Sequence, residues 1–315
     1  MEAQKNKFHV RRLHMKLSAP SKTFLIGEYL ATQGGTAIIA LTSPHFDLEV
    51  HPGNGEVTGI TNTSPAGKFL ARHKNDFDKY RLNFLDPHLG TGGLGASSAQ
   101  YSLVLYFWLS VIKGRKDISR QAFDLLDEYM TDSWSGIGTK PSGADMLAQI
   151  VGEISVVTPS TKNIYTLKWL FSDLSFSLFR TGRKVATHLH LQNVNLIPKG
   201  ILQEIVDVTV KALQDKNESV FLAGIKSYGE TLAQFGFLDK ESEKAIKLIY
   251  SWPEALAVKG CGAMGADILM IVHRKKNSVR IREKSKKLGL SFVANEENLS
   301  PGIHLKPEKI KEVFG

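Results

Sequence analysis

The sequence predicts a mixed chain of α+β or α/β class. Three observations carry that reading. Short β-branched apolar runs recur between turn signals. Longer segments space their apolar residues at helical intervals. Two loops dense in glycine and serine each lead into an apolar segment. At 315 residues and 34.8 kDa, the length suits two domains with a substantial core.

The elements follow in order. Residues 8–17 mix basic and apolar side chains and read as a strand leading into Ser18-Ala-Pro-Ser21. Thr23-Phe-Leu-Ile26 is a buried strand candidate. Gly34-Gly35 turns the chain into a second one, Thr36 to Leu41. Phe46 to Val50 alternates apolar and acidic residues, as a half-buried strand does. Residues 52–68, rich in Gly, Pro, Asn, Ser and Thr, read as turns between short strands. The Gly/Ser loop 90–98 runs into an apolar stretch ending at Ile112, too long for one strand and so a buried helix. A helix is expected over Ile118–Met130, a loop over Trp134–Gly143, a short helix over Ala144–Val151 and a strand over Glu153–Val157. Strands are expected at 165–171 and 174–180. Helical spacing covers 198–213, 217–235 and 241–250. Asp267–Val272 reads as an apolar strand, and the basic segment 274–287 as a helix. Polar and Pro-Gly residues near 187–195 place a domain boundary there, dividing the chain into 1–190 and 191–315.

Composition excludes several classes. One cysteine, Cys261, leaves no disulfide framework and no zinc site built on paired cysteines. No apolar stretch reaches the roughly 20 residues that span a bilayer. With a polar start, the chain reads as a cytoplasmic protein without a targeting segment. Lys and Arg number 40 against 31 Asp and Glu, a net charge of +9 with a pI near 9.4. That balance suits anionic partners, whether phosphorylated small molecules, headgroups or nucleic acid.

Four segments carry candidate chemistry. In Gly90-Thr-Gly-Gly-Leu-Gly-Ala-Ser-Ser98, glycines permit close backbone approach, and the following helix offers unpaired N–H groups to a phosphate. Ser97 or Ser98 adds a hydroxyl for a phosphate oxygen or Mg²⁺. The plainer reading is a flexible turn with N-cap serines. Gly90, Gly92 and Gly95 match G-x-G-x-x-G, but a dinucleotide fold wants an apolar strand just before, and Leu85-Asp-Pro-His88 is not one. The Walker A loop needs a lysine that this segment lacks. Pro141-Ser-Gly-Ala-Asp145 puts a carboxylate at a helix start, where it is a general base or merely complements the helix dipole. Lys22 flanks an apolar strand, as solvated lysines often do. Lys259-Gly-Cys-Gly-Ala-Met-Gly-Ala-Asp267 is a glycine-rich loop before a strand, or a tight hairpin.

In order and spacing these segments together resemble the GHMP kinase superfamily, and the resemblance runs from residue 16 to 272. Ser18-Ala-Pro-Ser-Lys-Thr-Phe-Leu-Ile-Gly-Glu-Tyr29 is similar to its first motif, and Gly93-Leu-Gly-Ala-Ser-Ser-Ala99 to its phosphate loop. Pro141-Ser-Gly-Ala-Asp145 is similar to the segment bearing its catalytic aspartate. Gly260-Cys-Gly-Ala-Met-Gly-Ala-Asp267 is similar to its third motif. The resemblance implies a two-domain fold: a ribosomal protein S5 domain 2-like N-terminal domain and a ferredoxin-like C-terminal domain, with the site between them. It implies ATP and Mg²⁺ as cofactors. Carried over by position, Asp145 is the base or orienting carboxylate, and Lys22 stabilises the substrate oxygen. Gly92, Gly93, Leu94, Gly95, Ala96, Ser97 and Ser98 hold the triphosphate. Around the acceptor stand Lys22, Glu28, Tyr29, Ser142, Gly143, Asp145, Arg183, Gly262 and Ala263. The expected metal ligands are Ser98 and an acid upstream of Asp145, taken as Glu128 with Asp132 as its alternative.

The chain departs from the family pattern in places. Ala96 is an extra residue before the serine pair, Ser21 stands where glycine is usual, and Ala263-Met264 replaces glycines. Within the superfamily the resemblance is closest to mevalonate and phosphomevalonate kinases. Gly27-Glu28-Tyr29, the ending at Asp267 and Thr181-Gly182 through Thr187 favour the latter. Pro-Ser-Gly-x-Asp and the short chain favour the former. Arg180, Arg183 and Lys184 suit a substrate phosphate, or form a solvated turn. The alternatives are another kinase of the superfamily, acting on homoserine or a sugar, an inactive metabolite sensor, and a basic nucleic-acid-binding protein. The stretch His273 to Lys287 suggests the last, but it lacks aromatic residues for base stacking. The expected partner is a small-molecule substrate, with neither nucleic acid nor membrane, and a homodimer stays open.

Overall fold

A computed structural model describes residues 14–183 and 198–306. Its two longest strands form the axis of a first sheet. β1 (Met15–Ile26) and β2 (Ala37–Pro52) run antiparallel, with the register slipping between Pro20 and Ser21. β2 is shared by two further partners. Its first part pairs with β5 (Ile154–Thr158), and its last part with β4 (Tyr80–Leu85). β3 (Val57–Thr58), β6 (Asn163–Leu167) and β11 (His304–Lys306) extend the edges.

The run Ala37-Ile-Ile-Ala-Leu41 is apolar throughout because both its faces are buried. Ala37, Ile39 and Leu41 face a core closed by α1 (Pro65–Arg72), the short α2 (Lys74–Phe77), α3 (Ala96–Phe107) and α5 (Ala144–Val151). Ile38 and Ala40 face a second core on the other side. That core is shared with a second antiparallel sheet, in the order β10 (Ser291–Asn295), β7 (Leu174–Arg180), β9 (Ile268–Arg274), β8 (Ala255–Cys261). It also takes in α6 (Lys199–Gln214) and α7 (Glu218–Gln234). β9 alternates in the same way: Ile268, Met270 and Val272 face this core. Leu269 and Ile271 face a third one, closed by Ile249 of α8 (Lys240–Tyr250) and Ile281 of α9 (Ser278–Lys287).

The α+β class and the expected helices in the second half are found. The expected division at 190/191 falls outside the described residues, but the sheets do not part there. β7 belongs to the second sheet although it precedes that point, and β11 returns to pair with β1 of the first. Non-local pairing decides sheet membership, and chain order does not reveal it.

Other differences are local. Residues 52–68 hold a helix start as well as turns: Ser64 caps α1 by accepting from the Gly67 N–H, and Pro65 occupies the first helical position. The expected helix over Ile118–Met130 is a 3-10 segment, Ile118–Leu125, broken at Gln121, followed by α4 (Leu126–Ser133). A strand does precede the Gly/Ser loop. β4 escapes notice because only Leu82 and Phe84 of its six residues are buried. The dinucleotide reading still fails: the parallel partner of β4 is β3, which precedes it, and the next strand after the loop and α3, β5, pairs antiparallel with β2, so no βαβ unit runs through the loop. No helix among the described residues is long and apolar enough to cross a membrane.

The α6–α7 crossing is close because Gly224 has no side chain. A Cβ there would lie 1.9 Å from Thr209 Oγ1. Gly224→Ala is therefore expected to lower stability by about 1–3 kcal/mol through overpacking. Thr209→Ala added to it should recover most of the loss in urea denaturation.

Candidate active site

The loops at one end of the two long strands enclose a cleft of about 920 Å³. Lys22 reaches it from β1, and Glu28 and Tyr29 from the turn that follows. The Gly/Ser loop, the start of α3, the Pro141–Gly143 turn, Asp145 and the β8–β9 turn complete the lining. Of the residues expected at the site, Lys22, Glu28, Tyr29, Gly92, Gly93, Gly95, Ala96, Ser97, Ser98, Ser142, Gly143, Asp145, Gly262 and Ala263 all line it.

Asp86 opens the loop by accepting from the His88 N–H at 2.8 Å and the Gly90 N–H at 2.9 Å. The loop then leans on its neighbours without intervening side chains. A Cβ on Gly93, where φ is +78°, would lie 2.5 Å from Asp267 Cβ. One on Gly95, where φ is +89°, would lie 2.5 Å from Lys22 Cγ. The Lys22 N–H donates to the Leu94 carbonyl at 2.9 Å, tying β1 to the loop. Gly95 caps α3, so the helix's first N–H groups face the cleft. Ser98 is buried and donates its hydroxyl to the Gly95 carbonyl at 3.1 Å, while Ser97 is exposed.

Gly143, left-handed at φ +68°, caps α5 and sets Asp145 in its first turn. The Tyr129 ring lies beside it, and burial together with the Asp145 charge pushes the Tyr129 phenol far up. Glu28, also in the lining, forms a buried ion pair with Lys259, with side chains 6% and 1% exposed. Burial pushes the Glu28 carboxyl up against the pull of Lys259. Tyr29 accepts from the Met264 N–H at 2.8 Å, and its phenol is pushed up to about 12, chiefly by burial. Burial also raises the Cys261 thiol to about 11, so it is no nucleophile near neutral pH.

Three expected positions fall elsewhere. Leu94 is buried with its side chain in the core between the sheets, and meets the site only through its carbonyl. Glu128 does not reach the cleft: Arg72 binds it at 2.7 Å and Asp132 at 2.7 Å, and Asp132 also accepts from the Tyr101 hydroxyl. The two acids bind α4 to α1. Among the described residues no group of three or more His, Cys, Asp or Glu is placed to hold a metal. Arg183 is taken by Asp239 at 2.8 Å and Ser242 at 3.1 Å, at the start of α8. Arg180 donates to His88 Nδ1 at 3.0 Å, and Lys184 lies outside the described residues. The charged side chains lining the cleft, among the described residues, are thus Lys22 and four carboxylates, Glu28, Asp86, Asp145 and Asp267. Thr61, Ser64 and Gln100 were not anticipated at the cleft. They lie between motifs, and only the packing of α1 and α3 brings them there.

Ser21 has a defined partner. Its hydroxyl donates to the Pro44 carbonyl at 2.7 Å and lies 2.7 Å from His88 Nε2. Having spent its proton, Ser21 accepts from Nε2–H, which leaves Nδ1 to accept from Arg180. His88 is therefore neutral, and burial and the Arg180 charge depress its pKa below the ordinary 6.5.

No protein-family model and no curated protein matches the sequence. Solved structures do match. The chain is similar to Streptococcus pneumoniae phosphomevalonate kinase at TM-score 0.69 and 14% identity, covering 90% of this chain and 98% of that one. It is similar to Lactococcus lactis galactokinase complexed with galactose at 0.76 and 11%, covering 93% and 95%. It is similar to L. major mevalonate kinase in complex with R-mevalonate at 0.65 and 18%, covering 86% and 91%. At these identities what is shared is the fold, and it is the two-domain architecture the motifs implied.

A group whose folded pKa is depressed contributes stability above its unfolded value and loses it as pH falls through the folded one. The urea midpoint should therefore drop as pH is lowered from about 7.5 to about 5, since His88 must charge on unfolding below 6.5. In His88→Gln the drop should be smaller. An equal drop in both proteins would show that His88 is not held neutral.

Proposed function

We propose that this chain, which carries the GHMP kinase fold, is an ATP-dependent phosphotransferase acting on a hydroxyl of a small molecule. One observation carries the reading. Lys22, the glycine loop before α3 and Asp145 lie far apart in sequence and line one cleft.

Phosphoryl transfer asks a protein mainly for positioning and charge stabilisation. The glycine loop and the first N–H groups of α3 form a cradle for phosphate oxygens, and a side chain at Gly93 or Gly95 would collide with Asp267 or Lys22 and push the loop off its neighbours. Bound ATP would supply the phosphoryl group and Mg²⁺ would offset its charge. Mg²⁺ needs only one or two protein carboxylates beside phosphate oxygens and water, so the lack of three converging ligand groups among the described residues does not disqualify the site. Ser98 gives its proton to Gly95 and keeps its lone pairs for a cation, and Asp145 is the carboxylate at the matching helix start. Asp145 takes or orients the acceptor's hydroxyl proton, and Lys22 stabilises the oxygen as the proton leaves. Glu28, Tyr29, Ser142 and Ala263 shape the acceptor end of the cleft.

For the acceptor we take the mevalonate branch, mevalonate or 5-phosphomevalonate. The charge of the lining favours the unphosphorylated compound. The arginine expected to hold a second phosphate is engaged by Asp239, and Lys22 is the one basic side chain lining the cleft among the described residues.

A coupled ADP-release assay over mevalonate, 5-phosphomevalonate, homoserine and galactose tests this. Turnover is expected with mevalonate. None with either mevalonate compound would remove the branch, and none with any acceptor would remove the kinase. Asp145→Ala should lose about 10²–10⁴-fold in turnover, the usual contribution of a positioned base, while ATP binding survives. Turnover near wild type in that variant would take Asp145 out of the mechanism.

A further inference from the structure

Gln149 is fully buried on α5, four residues after Asp145, and so lies one turn below it on the same side of the helix. Its Nε2 donates to two backbone carbonyls, Pro20 at 2.8 Å and Gly95 at 3.2 Å. Pro20 stands where the β1–β2 register slips, two residues before Lys22. Gly95 is the cap of α3, and its carbonyl also receives the Ala99 N–H at 2.9 Å and the Ser98 hydroxyl. One amide nitrogen therefore joins three segments: the strand bearing Lys22, the loop proposed to hold phosphate and the helix bearing Asp145.

The chemistry of the amide is specific to this task. Both partners are acceptors, so the group between them must offer two N–H bonds from one position. The opposite rotamer would set Oε1 against two carbonyl oxygens, which fixes the orientation. Oε1 itself has no hydrogen-bond partner among the described residues, so nothing competes for that orientation. The fit is tight as well. A Cβ on Gly95 would lie 3.1 Å from Gln149 Nε2 and 2.5 Å from Lys22 Cγ, so amide, cap and lysine stem are mutually packed.

We propose that Gln149 is a positioning residue: its buried amide sets the Lys22 strand and the α3 cap against the Asp145 helix, and so aligns the groups that act on the acceptor. The proposal rests on the kinase reading. It predicts a loss in kcat rather than in substrate binding, because misplacement by about 1 Å costs on the order of 10²-fold in rate.

The test compares Gln149→Met, which keeps the volume and removes both donors, with Gln149→Glu. In Gln149→Met, kcat per folded molecule should fall by about 10²-fold with little change in KM for ATP. Wild-type kcat, or a loss confined to KM, would overturn the proposal. In Gln149→Glu the buried carboxyl must bind a proton to face either carbonyl. Its kcat relative to wild type should therefore rise as pH falls from about 8 to about 6. A pH-independent ratio would overturn the proposal, and this variant decides the matter should Gln149→Met not fold. If the wild-type chain releases no ADP with any acceptor, the kinase reading fails separately. Hydrogen exchange of the Lys22 and Ala99 amides then still tests the positioning. Exchange should quicken in either variant while the α7 amides stay as they were, and unchanged exchange at Lys22 and Ala99 would overturn it.

Discussion

The structure depends on two strands that must be buried on both faces at once. β1 and β2 lie between a helical layer on one side and the second sheet with its helices on the other. A strand with two buried faces cannot slide by one residue without exchanging one core for the other. That constraint acts after the slip at Pro20 and Ser21, where β1 pairs with the doubly buried stretch Ala37 to Thr42 and Lys22 emerges at the cleft. The helices α3 and α5 are set by the same sheet, since both close the core on one face of it. The glycine loop and Asp145 are the leading ends of those two helices. The geometry of the proposed site is thus a consequence of how the helices seat on the sheet.

Charge is distributed in an unexpected way. The chain carries a net +9, yet the charged lining of the cleft is four carboxylates and one lysine among the described residues. Other basic side chains are committed to ion pairs away from the cleft. Arg280 and Lys284 of α9 both bind Glu254 at 2.6 Å, and Arg183 and Arg72 hold helices in place. Inside, Lys259 meets Glu28 in a pair that links the β8–β9 hairpin to the turn after β1. A buried pair of this kind is weak evidence for stability, because desolvation offsets much of the attraction. What it does supply is a fixed charge behind one wall of the cleft, where a solvated lysine would be mobile. Under the proposed function, an acidic lining around the glycine loop suits a nucleotide bound with its cation better than a bare anion.

The expected elements that were found share a physical property: their signal is local. Helical spacing marks α6, α7 and α8, and the uninterrupted apolar run marks the doubly buried part of β2. Most of the misses share one too. β4 is half-exposed, and β10 and β11 are short strands whose pairing partners, β7 and β1, lie far away in the chain. Glu128 and Arg183 carried the right chemical type for their expected tasks. No local pattern shows that Arg72 and Asp239 claim them first. Gln149 carries no motif, because its meaning depends on two carbonyls that arrive from other segments.

By itself the sequence determined a mixed α+β or α/β chain, the Gly/Ser loop at a helix start, the aspartate near the start of a helix and the lysine flanking an apolar strand. Each follows from backbone freedom, capping or periodicity within a dozen residues. Tertiary structure alone decided that these features share one cleft, that the second sheet begins with β7 and the first ends with β11, and which charges remain available. Those outcomes turn on contacts between residues hundreds of positions apart, such as the pairing of Ser18 with His304, and competition for a partner is settled only when the chain is packed.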